Sequence, residues 1–246
     1  MPDDGPAGHD EVHALIERFI VAARRMHASE DFEESLGRIT DTAVQTLRGC
    51  EAASISLLER DGPVSRGATA ALALAGDQIQ YDEGEGPCLD AALHEGWVYT
   101  PDLSHEPRWP RSAERMSQLG VGSMFSLRLT LDASPHTLGG LNLYATTPKA
   151  FDEHDQLLGI LLASVGAVVV DGARQQEHLR AAIASRQVIG EAVGLLRAEA
   201  KLSSQQAFEA LSRASQRTNV KLRDLAQRIS DGAEGGTDAS PVAVGE

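Results

Sequence analysis

The sequence predicts an α+β domain with an antiparallel sheet, followed by an all-helical end. Three observations predict it. Alternating apolar stretches around 53–57, 123–131 and 138–145 read as strands. No proline falls between Asp152 and Leu196, so one long helix closes the α+β part. Residues 180–230 then carry nine Lys+Arg against four acids, a net +5 on a chain of formal charge −14. A charge split of this kind suits one small part to a polyanion and leaves the rest another task.

The elements follow in order. Residues 1–11 and 231–246 are polar and bear Gly and Pro, and are expected to be disordered tails. Residues 11–49 read as helical, with Phe32, Leu36, Ile39, Ala43, Val44 and Leu47 at helical spacing and Gly49 as a stop. Ala53, Ile55 and Leu57 alternate as a strand. Asp61-Gly62-Pro63 is a turn, and 66–72 is expected to be a second strand. Helices are expected near 87–95 and 111–119, with a short strand at Trp97–Tyr99 between them. Phe125, Leu127, Leu129 and Leu131 share one strand face, and Leu141, Leu143 and Ala145 another. These two strands are expected to pair antiparallel around the loop DASPH. The apolar run Leu157–Val170 has fourteen residues, too few to span a bilayer, and reads as a buried helix. Residues 172–182 are a polar helical linker, suited either to pairing with its copy in a homodimer or to lying solvated alone.

Composition excludes several classes. Two cysteines, Cys50 and Cys88, without a CxxC argue against a disulfide framework or zinc site. The acidic start lacks a hydrophobic core, so no signal peptide is expected and the cytosol is the expected compartment. His9 and His13 enclose Asp-Glu-Val rather than forming HExxH, and no metal site is expected. Gly84-Glu85-Gly86 runs into Pro87-Cys88-Leu89 and reads as a tight turn before a helix, not a dinucleotide fingerprint. No acid pair, nucleophile–base set or P-loop stands out, so no enzyme chemistry is expected. Cys88 would lie near a helix start, where the dipole lowers a thiol pKa, or else be a small buried residue. Arg108 and Trp109 would line a pocket, or the Trp would be core with the Arg stacked or paired beside it.

The basic end reads as three short amphipathic helices. In the first, about 183–198, Ile189, Ala192, Val193 and Leu196 form an apolar stripe. Arg186 and Arg197, eleven residues apart, share a face beside it with Val193 between them. The second starts at Ser203, with Gln206 placed for a capping box, and carries Ala207, Phe208, Leu211 and Ala214. The third is expected to start after Asn219 as N-cap, with Leu222, Leu225, Ala226 and Ile229 inward.

The runs SRQVIGEAVGLL and LSSQQAFEALSRASQRTNVKLRDLAQRI, over 183–230, resemble the ANTAR domain, a three-helix RNA-binding module of bacterial antiterminators. Many members have Lys where this chain has Val193, and Met where it has Arg197. The resemblance implies recognition of paired hairpin loops in nascent RNA, which blocks formation of a terminator. Phosphate neutralisation and polar contacts to unstacked bases would supply the binding. Arg186, Gln187, Arg197, Ser215, Asn219, Lys221 and Arg223 are the candidate RNA contacts, although Ser215 and Asn219 equally suit helix capping.

Residues 12–171 resemble the GAF domain as it occurs upstream of ANTAR in actinobacterial proteins. GEGPCLDAAL at 84–93, PDL at 101–103, RWP at 108–110, LGVGSMFSLRL at 119–129, LGGLNLYA at 138–145 and AFDEHD at 150–155 carry the likeness. It implies an antiparallel sheet flanked by helices with a small-molecule pocket above it, and does not identify the molecule. The expectation is a signal-responsive antitermination regulator. Two alternatives stand beside it: a DNA-binding regulator, and a thiol-based redox sensor or enzyme centred on Cys88.

Overall fold

Strand alternation builds the first unit around one sheet with two unlike faces. The structure, a computed structural model, describes residues 6–27, 29, 31–131 and 139–235, with side chains from 12 to 232 except 94 and 95. Two compact units divide the chain, Met1–Gln176 and Glu177–Glu246.

In the first unit, α1 (Pro6–Arg25) and α2 (Phe32–Thr46) precede β1 (Ala52–Glu59) and β2 (Gly62–Arg66). Next come α3 (Ala71–Glu83), the short α4 (Pro87–Asp90) with a π-turn over Ala91–Glu95, and β3 (Trp97–Thr100). A 3-10 turn (Leu103–His105), α5 (Pro110–Leu119), β4 (Ser123–Leu129), β5 (Gly139–Ala145) and α6 (Glu153–Ala200) follow. The five strands lie in the order β2-β1-β5-β4-β3, every pair antiparallel. The expected β4–β5 pair is present, with Phe125 opposite Leu143 and Leu127 opposite Leu141. DASPH lies outside the described residues.

Two local expectations are corrected. Glu59 pairs with Gly62, so a tight hairpin places β2 at Gly62–Arg66 rather than at 66–72. Residues 71–83 are helical, where no helix was expected. The helical reading of 11–49 resolves into two helices, and α1 starts at Pro6, inside the stretch expected to be a tail.

Local chemistry explains the ends of α2. The Asp31 carboxylate accepts from the Glu34 N–H at 3.0 Å and caps the start. Leu36, Ile39 and Ala43 face inward. Beyond its end, the buried Asp155 carboxylate accepts from the N–H groups of Arg48 and Gly49, at 3.0 and 2.9 Å. A Cβ at Gly49 would stand 2.2 Å from the Ala150 carbonyl oxygen, so the backbones meet there through glycine.

One sheet face is apolar. Ile55, Phe125, Leu127, Leu141 and Leu143 pack against Leu36 and Ile39 of α2 and Leu158, Leu162 and Val170 of α6. By length and composition α6 is long and apolar enough to cross a membrane, but half of its apolar window is buried inside the protein. The opposite face presents Ser56, Met124, Ser126, Asn142 and Tyr144, all buried. At Gly139 a Cβ would fall 1.8 Å from the Ser56 carbonyl oxygen, where β5 meets β1. Gly139→Ala is expected to destabilise the protein by about 3 kcal/mol. Urea denaturation measures it, and a loss below about 1 kcal/mol would show that β1 yields freely.

The second unit holds residues 177–200 of α6, then α7 (Ser204–Thr218) and α8 (Leu222–Gly235). The expected capping box is formed. The Ser203 hydroxyl accepts from the Gln206 N–H at 3.2 Å, and the Gln206 side chain accepts from the Ser203 N–H at 2.9 Å. Ala192, Leu211 and Ala226 form the buried centre, ringed by Val188, Ile189, Val193, Leu196, Leu222, Leu225 and Ile229. Small side chains at the centre let the helices approach closely.

Candidate nucleic-acid interface and sheet-side chamber

Arg186 and Arg197 are both exposed on α6. Eleven residues of helix turn by about 20° net, so they share one face. Val193, on the same side, is half-buried against the core and forms the rim of that face. A Cβ at Gly190 or Gly194 would meet nothing within 4 Å, so neither glycine serves a close helix approach among the described residues.

The other candidates scatter. Gln187 donates to Glu191 at 3.1 Å and lies about 100° around α6 from Arg186. Lys221, just before α8, and Arg223, in its first turn, are both exposed. Ser215 is half-buried, and its hydroxyl donates to the Val220 carbonyl at 2.6 Å, locking the corner after α7. Asn219 is corrected from N-cap of the third helix to C-cap of α7. Its φ of 51° is left-handed and its N–H reaches the Ser215 carbonyl, a conformation asparagine tolerates. Ser215 and Asn219 therefore have structural work independent of any ligand.

A further concavity of about 500 Å³ opens on α7, lined by Ala210, Arg213, Gln216 and Arg217. Arg213 and Arg217 are one turn apart, and Arg213 also pairs with Glu209 at 3.7 Å. Neither arginine stood out in the sequence, although the i, i+4 spacing beside a small Ala210 was a readable signal.

Over the polar sheet face, α3 and α4 bury a connected set of side chains. Asp77 accepts from Asn142 Nδ2 at 2.8 Å, from the Tyr144 hydroxyl at 2.5 Å and from the Ser65 hydroxyl. Tyr81 bonds the Ser56 hydroxyl, and Ser56 also accepts from Asn142 Nδ2 at 2.9 Å. Gln80 Oε1 accepts from the Cys88 N–H at 2.8 Å. The Cys88 thiol donates to Ser56 Oγ and accepts from Asn142 Nδ2, each at 3.2 Å.

Burial, more than the nearby Asp77 charge, pushes the Cys88 thiol up to about 12. The lowered thiol pKa expected from the helix start is thus reversed, because desolvation outweighs the dipole of a four-residue helix. Cys50 is likewise raised to about 12 by burial. Burial also raises the Asp77 carboxyl above its usual range, against the lowering effect of its hydrogen bonds. Sequence reasoning missed Asp77, since a single acid in an unrecognised helix gives no signal.

Arg108 and Trp109 form a separate cluster. Trp109 is buried with Ala91 and Val98, and its Nε1 donates to Asp90 at 2.9 Å. The Arg108 guanidinium lies 4.3 Å over the Trp109 ring and forks onto Glu106 at 2.8 and 2.7 Å. This is the core reading of the pair. Among the described residues no group of three or more His, Cys, Asp or Glu is placed to hold a metal ion.

The family model described as the GAF domain matches residues 29–171, and that of the ANTAR domain matches residues 177–229. No curated protein matches the chain. Among solved structures, the chain is similar to bacteriophytochrome RpBphP3 of R. palustris, at 16% identity and TM-score 0.55, over 85% of this chain and 48% of that one. It is also similar to the photosensory core module of a Stigmatella aurantiaca phytochrome, at 10% identity and TM-score 0.54, over 87% of this chain and 46% of that one. A GAF domain region from Geobacter sulfurreducens PCA matches at 18% identity and TM-score 0.48, over 57% of this chain and 93% of that one. The chain thus spans about half of either phytochrome structure, and identities this low speak for the fold alone.

Proposed function

We propose, from the premise that this chain belongs to the GAF domain family and carries an ANTAR domain behind it, that it is a signal-responsive antitermination regulator acting on RNA. Both are regulatory domain types rather than catalytic ones. The GAF domain takes the input, a small molecule, and α6 transmits it. The helical unit holds paired hairpins of a nascent transcript and so prevents a terminator from forming.

One observation carries this reading: the ANTAR match falls on the basic helical unit, where Arg186 and Arg197 stand exposed on one face. Of the seven candidate contacts, these two are the primary pair. Lys221 and Arg223 serve as peripheral phosphate contacts, Gln187 as a polar contact, and Ser215 and Asn219 as shapers of the corner. A homodimer is supported by Leu179 and Ile183, which expose 64% and 66% of their surface one turn apart on α6. The cytosol, where nascent RNA is made in a bacterium, is the proposed compartment.

A gel-shift series with twin-hairpin RNA, single-hairpin RNA and duplex DNA tests the reading. Twin-hairpin RNA is expected to bind most tightly. Preference for duplex DNA would replace the RNA reading by a DNA-binding regulator.

A further inference from the structure

Phe208 is the single Phe, Tyr or Trp between Glu177 and Glu246. Helical spacing places it inward with Ala207 and Leu211, yet it is 45% exposed while those two are buried. The unit closes its core with Ala, Val, Leu and Ile and leaves its one aromatic at the surface.

The surroundings of Phe208 are polar. Ser204, Ser212 and Ser215 lie one to two turns away on the same side of α7. Ser204 is exposed and Ser212 and Ser215 are half-buried; the remaining exposed side chains of α7 are Gln205, Gln206, Glu209, Arg213, Gln216, Arg217 and Thr218. A lone ring amid hydroxyls is too small an apolar area for a protein partner, whose footprint needs several hundred Å². It matches the area of one planar base. Charge points the same way: residues 180–230 carry +5, which attracts a polyanion.

We infer that Phe208 is a stacking platform for one unpaired base of an RNA loop, with Ser204 and Ser212 of the same face offering hydroxyls to the base edge. This rests on the RNA reading above and adds to it a contact that is not electrostatic. Stacking on an aromatic contributes affinity without displacing counterions, so it leaves no trace in the salt dependence.

The full chain is titrated with twin-hairpin RNA carrying 2-aminopurine at an unpaired loop position. Binding by the unaltered protein is expected to quench the probe. Phe208→Leu is expected to weaken binding roughly tenfold, to abolish the quench and to keep the salt slope. Phe208→Trp is expected to restore affinity and quench, which excludes a merely misfolded Leu variant as the cause. Equal affinity and equal quench in Phe208→Leu would overturn the inference. So would a change in sedimentation with Phe208→Leu, which would assign the ring to a second copy. If the unaltered protein binds no hairpin RNA, the RNA reading falls and Phe208 falls with it. Loss confined to the variant concerns Phe208 alone.

Discussion

Asp77→Asn is expected to leave the protein folded and to remove a component of its stability-versus-pH curve. The donors that reach Asp77 are neutral: Asn142, Tyr144 and Ser65. A protonated Asp77 satisfies the same set, with Oδ1 accepting from Asn142 and Tyr144 and Oδ2–H donating to Ser65. Asparagine reproduces that pattern, its Nδ2 replacing the acid proton. Burial holds the folded pKa above the ordinary 3.8. The stability contributed by this proton is therefore fully present below pH 3.8. It declines as pH rises past that value, where the unfolded side chain ionises first, until the folded pKa is reached. Asp77→Asn lacks the decline. Asp77→Ala is different, because it strands buried donors on Tyr144 and Asn142 and is expected to destabilise by about 3 kcal/mol or more. Urea denaturation of the three proteins from pH 4 to pH 8 measures both effects. Parallel pH curves for the unaltered protein and Asp77→Asn would show that Asp77 is not the buried acid inferred.

The charge reversal Arg186→Glu with Arg197→Glu is expected to abolish RNA binding, a loss of about a hundredfold or more, with thermal unfolding unchanged. Both side chains are exposed and outside the core of the second unit, so the fold does not depend on them. Neutral replacements at the same two positions are expected to lower the salt slope by about 0.7 per lost phosphate contact. The paired control is Arg213→Glu with Arg217→Glu, on the α7 concavity. If the control abolishes binding while the Arg186/Arg197 variant binds at moderate salt, the interface lies on α7 and the chosen face is wrong.

The two unlike behaviours of this chain were legible to different degrees. Strand alternation marked Ile55, then Phe125 and Leu127, then Leu141 and Leu143, each on one face of its own strand, because a period of two is written locally; strand pairing then joined them into one apolar sheet face. The capping box of α7 was readable for the same reason, since its partners are three residues apart. Helix α3 was not readable. Its inward side carries Asp77 and Gln80, and Gly76 sits where a Cβ would be 2.7 Å from the Tyr144 ring. A helix that buries polar groups against a polar sheet face shows no apolar period. Phe208 misled in the opposite sense, since its spacing is that of a core residue and its environment is not.

The sequence by itself determined the order of the parts: an antiparallel α+β domain, a long helix, and a basic helical unit of known type. These are properties of period, capping and charge, which neighbouring residues define. Only the tertiary structure decided the state of the buried groups. Asp77 meets Asn142 across 65 positions, and Cys88 meets Ser56 across 32. Whether an acid or thiol ionises depends on solvent exclusion by such distant partners. Local spacing therefore found the basic face at Arg186 and Arg197, while burial alone revealed the buried polar network around Asp77 and the exposed ring of Phe208.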